Sequence, residues 1–318
     1  MKVLVTGANG FLGKFVTEKL IEKSYKVIAI DVHGSSYCHS INESVDLVYH
    51  SIDLTRSFER VLPLIADVDF VLHLAAIVGI QNQIAPAYKM YETNVVISGN
   101  VVRACSDLKK HLIFSSTSEI FGKNLKSPWG ETSESHFGST SESRWAYGMG
   151  KALIEELIFG MVEGKELSAT SIRFFNLYGP GQGEMYLIPT WIKSAIEKSP
   201  IEIYGSGLQE FSFTYVEDAA RFIISTIEKK ITGPINFGSP EKVSLSHLSA
   251  ELSSFFPNLL IASGLPNREG ELSEYSRLPT STRPDHPYNS FTFTPLHEGL
   301  RRTIEFQING VKLHFNES

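Results

Sequence analysis

The feature that most constrains this chain lies at its N-terminus. Lys2–Thr6 is a short run of β-branched and apolar residues, the pattern of a buried strand. It leads into Gly7-Ala8-Asn9-Gly10-Phe11-Leu12-Gly13, and a helical stretch follows from Phe11 to about Lys23. Gly7 permits a tight strand-to-helix turn. Gly10 lets the backbone approach a diphosphate, whose charge a helix N-terminus favours. Gly13 allows the helix to pack closely on the strand. Lys26–Ile30 reads as the next strand, and Asp31 follows it. A carboxylate there accepts hydrogen bonds from an adenosine ribose and repels a 2′-phosphate. Loop and acid together predict a bound NAD rather than NADP.

The strand pattern returns at Leu47–His50, Phe70–Leu74, His111–Ser115 and Ser168–Phe174. Helical segments at Leu54–Ile65, from Pro86 to about Ser106, and at Trp145–Val162 fall between them. This alternation predicts an α/β fold, a doubly wound parallel sheet of the Rossmann type with right-handed crossovers, over residues 1–175. After Asn176 the alternation loosens, and glycines and prolines punctuate the chain. A smaller C-terminal α/β substrate lobe is expected over residues 176–318. Its strands are Ile201–Tyr204 and Ile235–Phe237, and its helices Leu187–Lys198, Glu217–Lys229, Leu245–Phe256 and Leu296–Gln307. The irregular segments Lys123–Arg144 and Ser263–Pro287 are long enough to suggest functional loops.

Composition narrows the function classes. A chain of 318 residues buries a full core without disulfides or metals. Its net charge of -6 argues against a nucleic-acid partner or an anionic membrane surface. Cys38 and Cys105 supply no disulfide framework and no thiolate zinc site, and the ten histidines show no metal-ligand spacing. The apolar run at the N-terminus is too short for a signal peptide, and the longest apolar stretch, Phe70 to Ile80, is broken by His73. The expectation is a soluble cytoplasmic protein. His73, Trp129 and Trp191 read as packing residues.

Tyr147 and Lys151 are four residues apart on a predicted helix, so both side chains share one face. A nearby ammonium stabilises tyrosinate and makes the phenol a usable base. Ser115-Ser116-Thr117-Ser118-Glu119 places hydroxyls and one acid at the C-terminal end of a strand, where open α/β sheets bind ligands.

These motifs resemble the extended short-chain dehydrogenase/reductases, in the nucleotide-sugar epimerase, dehydratase and decarboxylase group. The resemblance runs through Asp53-Leu54, His73-Leu74-Ala75-Ala76, Asn94, Ser116 to Gly122 and Tyr147/Lys151. It continues at Arg173 to Pro180, Phe213 to Asp218 and Asn236-Phe237-Gly238. It implies that the two lobes interleave along the chain. It also implies cofactor contacts from Gly7, Asn9, Gly10, Phe11, Leu12, Gly13, Asp31, Asp53, Leu54, Leu74, Ala75, Ala76, Asn94, Tyr147 and Lys151. Asp53 is expected at the adenine. Thr117 takes the place of the substrate-holding hydroxyl, and Tyr147 removes the proton of the sugar 4-OH while NAD oxidises C4. The resulting 4-keto sugar labilises a C5 proton or a C5 carboxylate.

Glu119 discriminates among the reactions. An acid holds this position in the dehydratases and decarboxylases that the segment resembles, and small or hydroxyl residues hold it in many 4-epimerases. Ser118 stands where deoxythymidine-type 4,6-dehydratases carry an Asp. Arg144-Trp145 resembles the Arg-Trp-x-Tyr segment of uronate decarboxylases. Chemistry at C5 or C6, assigned to Thr117, Ser118, Glu119, Tyr147 and Lys151, is therefore ranked ahead of plain 4-epimerisation. Net dehydrogenation or reduction and non-catalytic NAD sensing are the remaining alternatives.

The substrate implied is a nucleoside-diphosphate sugar of uridine type. The resemblance places Asn176 at its diphosphate and Tyr204 and Gly205 at its base. Phe211 stands where the family carries an arginine, and Arg277 or Arg283 is the candidate late arginine. The resemblance also implies a homodimer built on the helix from Pro86 and the helix of Tyr147, with Val95, Val102, Leu153 and Leu157 compatible with an interface or with core.

Overall fold

The computed structural model describes residues 1–32, 46–78, 87–266, 276–281, 283, 286 and 291–316. Cys38, Pro86 and most of Ser263–Pro287 lie outside the described residues. The chain divides into two compact units.

The first unit comprises Met1–Asn124, Glu131–Phe174 and Ala220–Phe237. Its strands are β1 (Lys2–Thr6), β2 (Lys26–Asp31), β3 (Leu47–Ser51), β4 (Phe70–His73), β5 (His111–Thr117), β6 (Ser168–Phe174) and β11 (Gly233–Phe237). They form a seven-stranded sheet in the order β11-β6-β5-β4-β1-β2-β3. Every pairing in it is parallel. The order reverses at β1, so the crevice for a ligand opens where the carboxyl ends of β1 and β4 diverge. Helices α1 (Phe11–Glu22), α2 (Leu62–Ala66), α3 (Ala87–Met90), α4 (Ile97–Asp107) and α5 (Ala146–Glu163) connect the strands. The core packs Leu4, Ile28, Val71 and Phe114 of the sheet with Val101 of α4 and Ile154 of α5.

Two helices differ from expectation. Over Leu54–Ile65 only α2 and a 3₁₀ turn at Phe58–Arg60 form. Asp53 opens this segment as a side-chain-capped turn, its Oδ1 accepting from the Thr55 N–H and hydroxyl. Pro63 lacks an amide hydrogen and is tolerated only in the first turn of α2. The long helix ending near Ser106 contains a π-helical stretch at Tyr91–Val96, between α3 and α4. Such insertions are frequent at functional sites.

The second unit comprises Leu125–Gly130, Phe175–Ala219 and Gly238–Ser318. Its strands pair two by two: β7 (Leu177–Tyr178) with β10 (Thr214–Tyr215), β9 (Glu210–Phe211) with β12 (Val243–Ser244), and β8 (Ile201–Tyr204) with β13 (Ile261–Leu265). Helices α6 (Leu187–Ile196), α8 (Leu245–Phe255) and α9 (Leu296–Asn316) belong to it. Tyr178, Trp191, Ile203, Leu248 and Leu300 build its core. Trp129 and Trp191 are packing residues, both almost wholly buried.

A single boundary at residue 175 does not describe this arrangement. α7 (Val216–Lys229) begins in the second unit and ends in the first. β11 pairs with β6 from Gly233↔Thr170 to Phe237↔Phe174 and completes the sheet. The cause is register: hydrogen bonding to an open strand edge recruits a strand from late in the sequence. No helix among the described residues is long and apolar enough to cross a membrane.

Candidate active site

The turn from β1 to α1 is set by backbone sterics. Gly7 has φ 71°, a left-handed conformation that favours glycine. Its N–H donates to Ile30 O at 2.9 Å. A Cβ at Gly7 would lie 2.7 Å from Ala75 N, and one at Gly13 would lie 2.1 Å from Gly7 O. The loop therefore presses on the chain leaving β4, where Leu74 and Ala75 are. Among the described residues no side chain caps α1 at Gly10, so the first turn of α1 has no side-chain cap. Phe11 and Leu12 open this first turn.

Asp31 is built into the same loop. Its Oδ2 accepts from the Asn9 N–H at 2.9 Å and its Oδ1 from the Val32 N–H at 2.7 Å. Asn9 Nδ2 donates to Tyr49 Oη at 2.8 Å, a partner from β3 that the sequence did not single out. A cradle with no room for Cβ atoms, an uncapped helix N-terminus and a fixed carboxylate at the end of β2 fit the diphosphate and ribose of NAD. Asp53 stands at the turn after β3, and the Thr55 hydrogen bonds hold its carboxyl below the usual range. Leu54 lies in the core with Ile52 and Val61.

His73 ties the two strand ends together. Its Nδ1 meets Thr6 Oγ1 at 2.7 Å and its Nε2 meets Ser98 Oγ at 3.0 Å. Thr6 Oγ1 also accepts from the Ala75 N–H at 3.2 Å. Burial, reinforced by the Lys151 charge, pushes the imidazole down to about 3. His73 is thus a neutral strut of the crevice, as its position in a buried strand suggests. Ala76 follows in the same segment, and Asn94 secures the next residue. Its Oδ1 accepts from the Ile77 N–H and its Nδ2 donates to Ile77 O, both at 2.8 Å. Ile77 packs with Met90, Ala146 and Tyr147.

The residues expected to react lie on β5, the turn after it and α5. Thr117 ends β5, and its Oγ1 accepts from the Glu119 N–H at 3.2 Å, which caps the 3₁₀ turn Ser118–Phe121. Ser118 is buried in that turn. A Cβ at Gly148 would lie 2.5 Å from Glu119 O, so the turn carrying Glu119 backs directly onto the residue after Tyr147. Tyr147 is buried to 9% exposure. One turn further on, Lys151 is 2% exposed and donates from Nζ to Ser115 O at 2.6 Å. It lies 4.5 Å over the Phe114 ring. Burial lowers its pKa to about 7, against an opposing pull from Glu155. Arg144, one turn before Tyr147, stacks 5.2 Å over the Trp145 ring, and its buried Nε has no hydrogen-bond partner among the described residues.

The second unit positions the residues expected at the substrate. Asn176 O accepts from the Thr214 N–H at 3.1 Å beside β7 and β10. Tyr204 ends β8, and its hydroxyl donates to Glu202. Arg277 pairs with Phe211: its N–H donates to Glu210 O at 2.8 Å, and the Ser212 N–H donates to Arg277 O at 3.3 Å. The Trp129 N–H donates to Leu278 O at 2.9 Å on the other side. Of the two late arginines, Arg277 is therefore the one fixed in extended chain beside Phe211. The sequence had not shown that these distant positions are neighbours.

Comparison with known proteins agrees with this geometry. The family model described as "NAD dependent epimerase/dehydratase family" matches residues 3–238. A UDP-N-acetyl-alpha-D-glucosaminuronate decarboxylase of Bacillus cytotoxicus is 32% identical over 259 residues, 79% of this chain and 79% of that protein. A solved UDP-N-acetylglucosamine 4-epimerase of Methanobrevibacter ruminantium M1, in complex with UDP-N-acetylmuramic acid, is 26% identical with TM-score 0.85. That match covers 97% of this chain and 98% of the epimerase. MoeE5, solved with UDP-glucose and NAD, is 25% identical with TM-score 0.80, covering 98% and 100% of the two chains. With its glycine cradle, fixed Asp31 and Tyr147/Lys151 pair, the chain belongs to the NAD-dependent epimerase/dehydratase family of nucleotide-sugar enzymes.

Proposed function

We propose that this enzyme decarboxylates a uridine-diphosphate uronate through a transient 4-keto sugar. The observation that carries the reading is the packing of the Glu119 turn against Gly148, which joins an acid to the Tyr147 helix. Two further facts support it. Arg144 presents a guanidinium whose buried Nε lacks a partner among the described residues, and a carboxylate matches that fork. The Bacillus relative bears the name of a uronate decarboxylase.

Bound NAD supplies the acceptor, and later the donor, of a hydride at sugar C4. The chain's own groups manage the protons. The Thr117 hydroxyl uses one lone pair on the Glu119 N–H and keeps its O–H for the sugar oxygen. Tyr147 accepts the 4-OH proton, helped by the Lys151 ammonium. A carboxylate β to the new ketone leaves as carbon dioxide, and its bonding electrons move onto the C4 oxygen. Tyr147 returns a hydrogen bond to that oxygen. Glu119, protonated from solvent, delivers a proton to C5, and Tyr147 gives its proton back to the C4 oxygen when the hydride returns. Asn176, Tyr204 and Arg277 of the second unit serve the nucleoside diphosphate in this reading.

The assembly we favour is a homodimer. The π-helical stretch Tyr91–Val96, α4 and α5 line an apolar face on which Val96 is 57% and Leu153 is 55% exposed, with Val95, Gly99 and Leu157 beside them. A cytoplasmic location accords with Cys105, a buried free thiol. The test is incubation with NAD and UDP-uronates, read as product mass. Loss of carbon dioxide is expected. An unchanged mass at a new retention time would make the enzyme a 4-epimerase.

A further inference from the structure

Behind Lys151 the first unit holds a buried ion pair that the proposed reaction does not use. Glu155 lies one turn beyond Lys151 on α5 and is 4% exposed. Arg173 lies on β6 and is 7% exposed. Arg173 Nη2 donates to Glu155 Oε2 at 2.6 Å, and its Nε donates to both carboxylate oxygens at 3.1 Å. Ser171 Oγ adds a donor to Oε1 at 2.8 Å. The remaining arm of Arg173, Nη1, donates to Glu131 O at 2.7 Å. Glu131 is itself buried, and its Oε1 accepts from the Asn236 N–H at 3.2 Å on β11. The pair is thus fixed from two strands and a loop.

Burial on this scale is expensive for two charges, and isolated pairs of this kind add little to stability. Their placement suggests another use. Residues four apart on a helix are neighbours, and the Glu155 charge acts on Lys151, opposing the effect of its burial. An unrestrained carboxylate there would draw the ammonium into a direct ion pair and away from Ser115 O. The Arg173 fork and the Ser171 hydroxyl hold it back.

We propose that Glu155 and Arg173 are positioning residues for Lys151: the locked carboxylate keeps the ammonium charged without capturing it. The inference rests on the proposed role of Lys151 beside Tyr147. Titratable and charged groups around Lys151 are Tyr147 and Glu155 on its own helix, His73 on β4 and, behind Glu155, Arg173 on β6. From β5 come the neutral Ser115 carbonyl and the Phe114 ring. His73 stays neutral through the relevant range, so Glu155 supplies the opposing charge.

The two partners make predictions of opposite sign. Glu155→Gln removes the negative field and leaves Arg173 unpaired, so the Lys151 titration midpoint falls by about one pH unit or more. Arg173→Gln frees Glu155 to pair with Lys151, so the midpoint rises. Turnover drops in both. The midpoint is read by nitrogen-15 NMR of lysine-labelled, NAD-free protein, with Lys151 assigned from Lys151→Arg. A purely structural pair would lower the melting temperature and leave the midpoint in place. Should a single variant fail to fold, Glu155→Gln/Arg173→Gln leaves no unpaired charge and carries the test. Its midpoint falls below that of the parent, and an unmoved midpoint in it overturns the proposal. Unmoved midpoints, or shifts of one sign in both single variants, overturn the proposal. Because the titration needs no sugar, inactivity toward every uronate would sink the proposed reaction without touching this result.

Discussion

The loop from Gly7 to Gly13 and the strip that joins Phe211 to Arg277 are held by different means. The loop has nowhere to put a Cβ at Gly7 or Gly13, so its residue types follow from backbone contact. The strip is extended chain in which any non-proline residue could form the same main-chain bonds, and its chemistry rests on which side chains happen to stand there. A cofactor end dictated by sterics tolerates few sequences. Side chains on extended chain of this kind are free to change by single substitutions, which suits the strip expected to meet the substrate.

Four perturbations sharpen this contrast. The largest effect belongs to neither end but to the chemistry: Tyr147→Phe should lower turnover by about 10³-fold while NAD still binds, measured by progress curves and cofactor titration. Next comes Gly13→Ala. Its Cβ meets a carbonyl oxygen rather than a yielding side chain, so NAD affinity should fall by at least about tenfold, with a lower melting temperature. Wild-type affinity in that variant would break the steric account of the loop. Arg277→Ala should act at the other end only, raising KM for the sugar nucleotide by about tenfold with NAD affinity unchanged.

The smallest effect concerns pH and stability. His73 titrates near 6.5 when unfolded and at about 3 in the fold, so below pH 6.5 the unfolded chain binds the extra proton. The strut's contribution is full above pH 6.5 and is lost progressively as pH falls toward 3, at about 1.4 kcal/mol per unit. Replacing His73 with Asn should flatten that slope in urea melts between pH 4 and about 6.5. An unchanged slope would remove His73 from the account.

The same contrast explains what the sequence made legible. The parallel sheet, the glycine turn, Asp31 and the Tyr147/Lys151 pair follow from local pattern and spacing, and each is where that pattern puts it. Residues whose roles depend on distant partners were not legible. Tyr49 meets Asn9 across β2 and β3, and Asn94 spends its amide on Ile77. Glu155 finds Arg173 on another strand. Likewise β11 joins the sheet after a long excursion, which no window of sequence reveals. Helix length over Leu54–Ile65 was overestimated because the apolar period outweighed the Asp53 turn and Pro63.

The central claim is that Tyr147, at the C4 oxygen, and Glu119, at C5, together bring about loss of a C5 carboxylate. It is tested most directly by mixing the enzyme and its Glu119→Gln variant with NAD and a UDP-uronate, and weighing the products. The proposed reaction predicts loss of carbon dioxide with the parent enzyme, and stalling in Glu119→Gln before a decarboxylated sugar is released. A C4-inverted product of unchanged mass from both proteins would contradict it.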